Sequence, residues 1–237
     1  MQQIKCKNLS IGYERKPSAE NLNFSISDGD YLCIVGPNGA GKTTLIKTIL
    51  GLTPALRGKI EFVNGFNKTD IGYLPQQTVI QKDFPATVRE VVLSGFQNRS
   101  RIRPFYTKAE KQRAKKVLYM FGISNLEKKS YKELSGGQQQ RVLLARAVCA
   151  TKKMILLDEP VSSLDMESAA EMYSLVKQIN KEGVTIVMIT HDLDFAMSKA
   201  SHILFIGKEN FFGTRSAFNK SEFGEKYGHF VGGCDHE

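Results

Sequence analysis

The segment Gly36-Pro37-Asn38-Gly39-Ala40-Gly41-Lys42-Thr43-Thr44 decides the fold, and it directly follows the apolar run Tyr31–Val35. Glycines at this spacing before Lys-Thr are typical of a phosphate-binding loop between a buried strand and a helix. They let backbone N–H groups surround a phosphate, and a helix that begins near Lys42 points the positive end of its dipole at it. We therefore predict a nucleoside triphosphatase, in which Lys42 reaches the terminal phosphates and Thr43 binds Mg²⁺. The alternative is a glycine-rich turn without a ligand.

The composition limits the architecture. A chain of 237 residues is long enough for one large α/β domain, or for one domain with an inserted lobe. Hydrophobic residues make up 41% of the chain, and no apolar run reaches the ~20 residues that a membrane-spanning helix needs. Because the first residues lack the apolar centre of a signal peptide, we expect the chain to stay in the cytoplasm.

The formal net charge is +9, and the densest basic stretch runs from Arg99 to Lys132. Because that stretch lacks regularly interleaved aromatic residues, we interpret it as a solvated helical face that could lie near a membrane, and we expect no nucleic-acid partner. The four cysteines show no paired metal or redox spacing. The apolar surroundings of Cys33 and Cys149 predict reduced, buried thiols.

The hydrophobic pattern predicts an α/β fold. Short strands with tight turns occupy the first part of the chain, and capping boxes begin predicted helices at Thr87 and Thr107. Near-continuous apolar runs at 153–157 and 184–190 are typical of parallel strands that are buried on both faces. The predicted division is a core at 1–75 and 151–215, a helical subdomain at about 76–150, and a short C-terminal tail at 216–237.

A second element of a phosphate site follows one of these predicted strands. Asp158 and Glu159 come directly after an apolar run, at the carboxyl end where α/β sheets place ligands. We expect Asp158 to hold Mg²⁺ through a water, and Glu159 to orient and deprotonate the water that attacks the γ-phosphate. Because acidic residues also end many ordinary strands, this prediction depends on the phosphate-binding loop.

The turn Ser135-Gly136-Gly137-Gln138 precedes a helical run. Ser135 and Gln138 form a capping box, which by itself only starts a helix. Two glycines in a first helical turn each lower the helix propensity by roughly 1 kcal/mol. That cost is understandable if backbone N–H groups must approach a ligand phosphate closely.

These motifs, in this order, resemble those of the ATP-binding subunit of an ABC transporter, and the resemblance covers about residues 4–202. It implies a P-loop NTPase (RecA-like) core with an N-terminal antiparallel β lobe and an inserted α-helical subdomain. The implied activity is ATP hydrolysis coupled to transport, with ATP and Mg²⁺ as cofactors. The implied place of action is the cytoplasmic face of the cell membrane.

The resemblance also assigns roles to single residues. Tyr13 matches the aromatic residue that stacks on adenine, with a core strand tyrosine as the alternative. Gln76 matches the glutamine that touches Mg²⁺ and links the site to the membrane partner, with Gln77 as the alternative register. Asp165 matches a residue in the loop that reaches across the dimer. His191 matches the histidine that senses the γ-phosphate, although a lone histidine at a strand end is otherwise structural.

The implied partners follow from the same resemblance. Two such chains dimerise head to tail, so that the phosphate-binding loop of one and the Ser135–Gly137 turn of the other enclose one ATP. Because the chain has no membrane-spanning run, the moving part is a separate integral-membrane permease, which we expect to contact about residues 77–98.

Within the family, residues 72–95 resemble the subgroup that serves zinc or manganese importers, which also use an extracellular metal-binding protein. The C-terminal tail holds Cys234 and His236, which are suitable ligands for Zn²⁺. A frayed polar terminus is the simpler interpretation, because two ligands cannot close a tetrahedral site. We expect zinc as the cargo, with a manganese or iron importer, or an exporter, as the alternatives.

Other functional classes fit the chain less well. A relative that acts on ribosomes usually carries two cassettes, and a DNA-repair relative carries a long coiled coil. A regulatory nucleotide binder without catalysis is expected to lack Glu159 or His191, and both are present.

Overall fold

The computed structural model describes residues 1–14, 16–76, 85–99 and 105–228. The chain divides into two compact units, Met1–Lys68 with the chain from Thr185 onward, and Thr69–Val184. Gln77, Cys234 and His236, which the sequence singled out, lie outside the described residues. The predicted boundaries of the core and the helical subdomain remain a prediction.

The first unit contains an antiparallel lobe and a mostly parallel sheet. In the lobe, β1 lies between β2 and β4 and pairs antiparallel with both, which confirms the predicted N-terminal β lobe. In the other sheet, β3 lies between β7 and β8 and runs parallel to both, and β9 pairs antiparallel with β8. The strands are β1 (Gln2–Tyr13), β2 (Lys16–Ser27), β3 (Tyr31–Val35), β4 (Arg57–Phe62), β7 (Thr185–Ile189), β8 (His202–Phe205) and β9 (Phe211–Thr214), and the helices are α1 (Lys42–Leu50), α6 (Leu193–Lys199), α7 (Arg215–Asn219) and α8 (Glu222–Gly228).

The second unit packs helices around a pair of strands. Strands β5 and β6 run parallel, with Tyr73 opposite Leu156 in the register. All five residues of β6 are buried, as are those of β3 and β7, which explains their near-continuous apolar sequences. The elements are β5 (Ile71–Leu74), α2 (Val88–Leu93), α3 (Lys108–Met120), α4 (Gly136–Ala150), β6 (Met154–Asp158) and α5 (Met166–Lys181), with short 3₁₀ helices at Ser94–Arg99, Ser124–Leu126 and Tyr131–Glu133.

The helix starts of this second unit follow the local sequence. The predicted capping boxes are confirmed at Thr87, Thr107 and Ser135, where each hydroxyl accepts from a backbone N–H three residues on. Helix α5 begins at Met166, because Asp165 caps it through the backbone N–H of Ser168.

The prediction of buried thiols is confirmed. Cys33 and Cys149 are free and buried, as is Cys6, and burial raises the pKa of the Cys6 thiol to about 12. Among the described ranges, no helix is both long and apolar enough to cross a lipid bilayer.

Candidate active site

The phosphate-binding loop lies between β3 and α1, where the sequence predicted it. Gly36 has a φ of 144°, and a Cβ at this residue would lie 2.1 Å from the carbonyl oxygen of Ile206. Gly41 is the N-cap of α1 with a φ of 94°, in the left-handed region. A residue with a side chain would be strained at either position, so the glycines are needed for the shape of the loop.

Lys42 is the first residue of α1, and its side chain bonds to the loop that precedes it. Its side chain is 6% exposed, and Nζ donates hydrogen bonds to the carbonyl oxygens of Gly36 (2.8 Å) and Pro37 (2.9 Å). Within α1, which is described in full, no side chain caps the N-terminus and the first turn contains no acidic residue. The first N–H groups of α1 and the Lys42 ammonium therefore form a positive site that suits a phosphate.

Two more predicted residues belong to the same unit. Tyr13 ends β1 and is 50% exposed, so it is not a core tyrosine. Burial raises the pKa of its hydroxyl. A hydrogen bond with Thr44 and the charge of Lys47 together lower the pKa by more than burial raises it, so the net shift is downward. The hydroxyl is thus tied to α1, and the exposed ring is suited to stacking on a base.

His191 lies two residues beyond the end of β7. It is exposed, whereas the preceding Thr190 is buried. The next residue, Asp192, caps α6 by accepting from the backbone N–H of Phe195 at 2.8 Å, and its own N–H donates to the Thr190 hydroxyl at 3.0 Å. The residues on either side of His191 therefore fix the backbone of this turn while the imidazole faces outward.

In the second unit, Asp158 ends β6 and its side chain is only 1% exposed. The hydroxyl of Tyr73 hydrogen-bonds to this carboxylate, and burial, the Asp158 charge and this hydrogen bond raise the Tyr73 pKa. A buried carboxylate needs a cation or several donors. The carboxylate of Asp158 and the amide oxygen of Gln76 are oxygen donors of the kind that Mg²⁺ prefers, so these residues of the second unit fit this metal. The hydroxyl of Thr43, in the first unit, is a donor of the same kind.

Glu159 combines an uncommon backbone conformation with a polar contact. Its φ is 49°, in the left-handed region that residues with long side chains rarely adopt. The amide Nε2 of Gln76 donates to its Oε2 at 3.0 Å, and the hydroxyl and N–H of Ser162 donate to its carbonyl oxygen. Gln76 and Glu159 were predicted as separate functional residues, and the structure brings their side chains into direct contact.

The two glycines of the Ser135–Gln138 turn differ in their surroundings. A Cβ on Gly137 would lie 2.7 Å from Oγ of Ser168, a hydroxyl that donates to Asp165 at 2.8 Å. A Cβ on Gly136 would have no described atom within 4 Å. Packing of α4 against α5 therefore explains Gly137. Packing among the described residues does not explain Gly136, which is exposed at the start of α4.

Asp165 has a structural role beside its predicted one. Its carboxylate accepts from both the N–H and the hydroxyl of Ser168, and the hydrogen bond from the Ser168 backbone holds its pKa below the ordinary range.

The contact of Tyr73 with Asp158 was not predicted from the sequence. The observed parallel register explains the contact, because Tyr73 lies opposite Leu156 and therefore on the same face as Asp158.

The chain is similar to known ATP-binding proteins. The family described as ABC transporter matches residues 19–162. The manganese transport system ATP-binding protein MntB of Bacillus subtilis is 35% identical over 230 residues, which cover 95% of this chain and 92% of that protein. The zinc uptake system ATP-binding protein ZurA of Listeria monocytogenes is 32% identical over 217 residues, which cover 88% of this chain and 84% of that protein.

Solved structures of ABC transporter proteins also have this fold. The fold matches an inward-facing ABC transporter with a TM-score of 0.84 and 31% identity, covering 97% of this chain and 90% of that one. It also matches a nucleotide-free ATP-binding cassette of an ABC transporter, with a TM-score of 0.78 and 26% identity, covering 92% of this chain and 94% of that one.

The backbone of residue 159 gives a first prediction. Both Glu159→Asn and Glu159→Gln remove the charge, but Asn adopts the left-handed region more readily than Gln. We expect Glu159→Asn to have a free energy of unfolding higher by about 1 kcal/mol than Glu159→Gln. Urea denaturation of the two variants measures this difference. Equal stabilities would mean that the conformation of Glu159 stores no strain.

The two glycines give a second prediction. Gly136→Ala should raise the free energy of unfolding by about 0.5–1 kcal/mol, because alanine favours the helix and open space surrounds its Cβ. Gly137→Ala should not be stabilising, because its Cβ must displace the Ser168 hydroxyl. Thermal unfolding followed by circular dichroism compares the two. A stabilising Gly137→Ala would contradict the packing explanation.

Proposed function

The chain belongs to the ABC transporter family of ATP-binding proteins, and from that premise we propose that it powers an importer for a divalent metal ion. Nucleotide binding and ATPase activity are characteristic of the family. The observation that carries the proposal is the preformed phosphate loop, in which the buried Lys42 ammonium is held by the carbonyl oxygens of Gly36 and Pro37.

The proposed roles follow from the environment of each residue. Lys42 and the N–H groups of α1 bind the phosphates, since a charged phosphate is a stronger partner for an ammonium than two neutral carbonyls. Tyr13 stacks on the adenine ring through its exposed aromatic face. Thr43 and Asp158 hold Mg²⁺, which when bound would neutralise negative charge on the phosphate oxygens.

Glu159 is the proposed general base. The carboxylate of this half-buried residue accepts from the Gln76 amide, so Gln76 fixes the carboxylate orientation before a water is activated. In this proposal His191 contacts the γ-phosphate from the exposed side of its turn. Each of these roles requires the side chain itself, and each can be removed by a conservative substitution.

A second copy of the chain is the proposed partner for the Ser135–Gln138 turn. Gly136 lies exposed at the N-terminus of the 15-residue helix α4, and its surroundings leave open space. That geometry supports contact with a phosphate from outside the chain. In the proposed head-to-tail dimer, that phosphate belongs to the ATP bound by the partner subunit.

The proposed permease contact is a cleft in the second unit, in part of the region predicted from the sequence. The cleft has a volume of about 540 Å³. Its polar groups include Arg146, whose Nε donates to the Ser94 hydroxyl at 3.0 Å, and Glu90 of the Thr87 capping box. The lining residues are Pro75, Ala86, Glu90, Val91, Ser94, Gln97, Tyr106, Tyr131, Leu143 and Arg146.

The metal class comes from the relatives. Zinc and manganese both occur in the names of similar proteins from bacteria, so the relatives support a divalent transition metal without choosing between the two. The resemblance of residues 72–95 supports zinc and manganese alike, and the choice of zinc rests on the tail ligands Cys234 and His236. An exporter is the rival function, and it is distinguished by the direction of metal movement.

Two substitutions test the catalytic roles. Glu159→Gln should retain ATP binding but lower the turnover rate by about 10²-fold or more, because a neutral amide cannot accept the water proton. Lys42→Ala should instead raise the dissociation constant for ATP. Equilibrium nucleotide binding and phosphate release measure the two effects. Wild-type turnover by Glu159→Gln would refute its role as the base.

Metal uptake tests the function as a whole. In cells that lack this chain, we expect the wild type, but not Glu159→Gln, to restore uptake of radiolabelled zinc. Manganese uptake measured in the same cells distinguishes the two cargoes. Restored efflux of metal would replace the importer with an exporter, and no effect on either metal would remove the metal function while leaving the ATPase intact.

A further inference from the structure

One outer face of helix α3 carries an uncompensated positive charge. Apart from Ala109, the exposed residues of α3 lie three, four, seven, eight and eleven positions after Lys108, which places them on one side of the helix. Ala114, Val117 and Leu118, which lie between them, are buried against the rest of the second unit. We call the exposed side the lysine face, and its residues are Lys108, Lys111, Gln112, Lys115, Lys116 and Tyr119.

The other charged residues of α3 are already engaged elsewhere. Glu110 accepts from the backbone N–H and the hydroxyl of Thr107 in the capping box. Arg113 donates to the carbonyl oxygens of Val148 (2.8 Å) and Thr151 (2.6 Å). In this fully described helix, the lysine face therefore contains no carboxylate. None of its four lysines forms an ion pair with another described residue.

This arrangement opposes the stability of the isolated helix. Lys111 and Lys115 are four residues apart, and like charges at this spacing repel. Lys108 and Lys111 lie in the first turns of α3, where the helix dipole also disfavours cations. Between residues 105 and 133 there are eight basic and three acidic residues, a net charge of +5 within a chain total of +9. A negatively charged surface that covers this face would relieve both repulsions.

Exposed aromatic rings flank the same lysines. Tyr119 ends the lysine face and is 82% exposed, and Phe105, three residues before the helix, is also 82% exposed. A ring with this exposure gains free energy when it enters the boundary between lipid headgroups and acyl chains. The combination of lysines with aromatic residues is typical of segments that lie on a membrane surface.

We propose that the lysine face, with Phe105 and Tyr119, binds the anionic lipid headgroups of a bilayer directly. A lipid surface fits better than a nucleic acid, because the exposed cations are all lysines, and the one arginine of α3 is turned to backbone carbonyls. Lysines are flexible point charges that suit a diffuse anionic layer, whereas bidentate phosphate recognition favours arginine. This contact goes beyond the permease contact, since it involves the lipid itself.

The test is co-sedimentation of the purified full-length chain with lipid vesicles, in the absence of any permease. The vesicles are phosphatidylcholine alone, or phosphatidylcholine mixed with phosphatidylglycerol. The chain should sediment with the mixed vesicles only, and added salt should weaken this binding because it is electrostatic. Each lysine near an anionic surface contributes roughly a fivefold gain in partitioning. The triple variant Lys111→Gln, Lys115→Gln, Lys116→Gln should therefore bind on the order of 100-fold more weakly.

The matched control removes the same charge elsewhere, through Lys177→Gln, Lys181→Gln and Lys199→Gln, three exposed residues outside α3. The control should keep most of the binding. Tyr119→Ser should weaken binding severalfold and leave its salt dependence unchanged. In thermal unfolding, the α3 triple variant should be at least as stable as the wild type, because it removes like-charge repulsion.

Three results would overturn the proposal. The first is that the chain does not bind the mixed vesicles. The second is that it binds neutral and mixed vesicles equally. The third is that the α3 triple variant and the control variant lose the same amount of binding to mixed vesicles. If RNA oligonucleotides at the same molar concentration as the chain release it from the vesicles, the lysine face is assigned to nucleic acid instead. Because neither ATP nor a permease is used, failure here leaves the transport function untouched.

Discussion

The contact of the Lys42 ammonium with the carbonyl oxygens of Gly36 and Pro37 is the interaction on which the first unit's site depends. A charge that is only 6% exposed needs partners, and the loop supplies two neutral ones. Gly36 and Gly41 adopt conformations that permit this shape. The loop is therefore set for an anion before any nucleotide arrives, and binding exchanges weaker partners for stronger ones.

In the second unit, the comparable constraint is the end of β6. Asp158 is buried and hydrogen-bonded to Tyr73, whereas its neighbour Glu159 has a left-handed backbone, is half-buried and accepts a hydrogen bond from Gln76. Adjacent carboxylates thus have opposite environments, one suited to a metal ion and one suited to a proton. Local strain of this kind is common where chemistry takes place, because the surrounding structure holds the residue in place.

The sequence predicted what depends on short-range patterns. The loop at 36–44, the strand before it and the capping boxes follow from local chemistry, and the structure has all of them. It could not predict contacts between residues that are distant along the chain. The Gln76–Glu159 hydrogen bond and the packing of Gly137 on Ser168 depend on how strands and helices pack. The cargo also remained open, since the named relatives transport different metals.

The most direct test of the account is a crystal structure of the Glu159→Gln variant with ATP and Mg²⁺. We predict that Nζ of Lys42 leaves the carbonyl oxygens of Gly36 and Pro37 and binds the terminal phosphates. The φ angles of Gly36 and Gly41 should stay in the left-handed region. A nucleotide bound elsewhere, with Lys42 still on both carbonyls, would contradict the claim that this loop is the phosphate site.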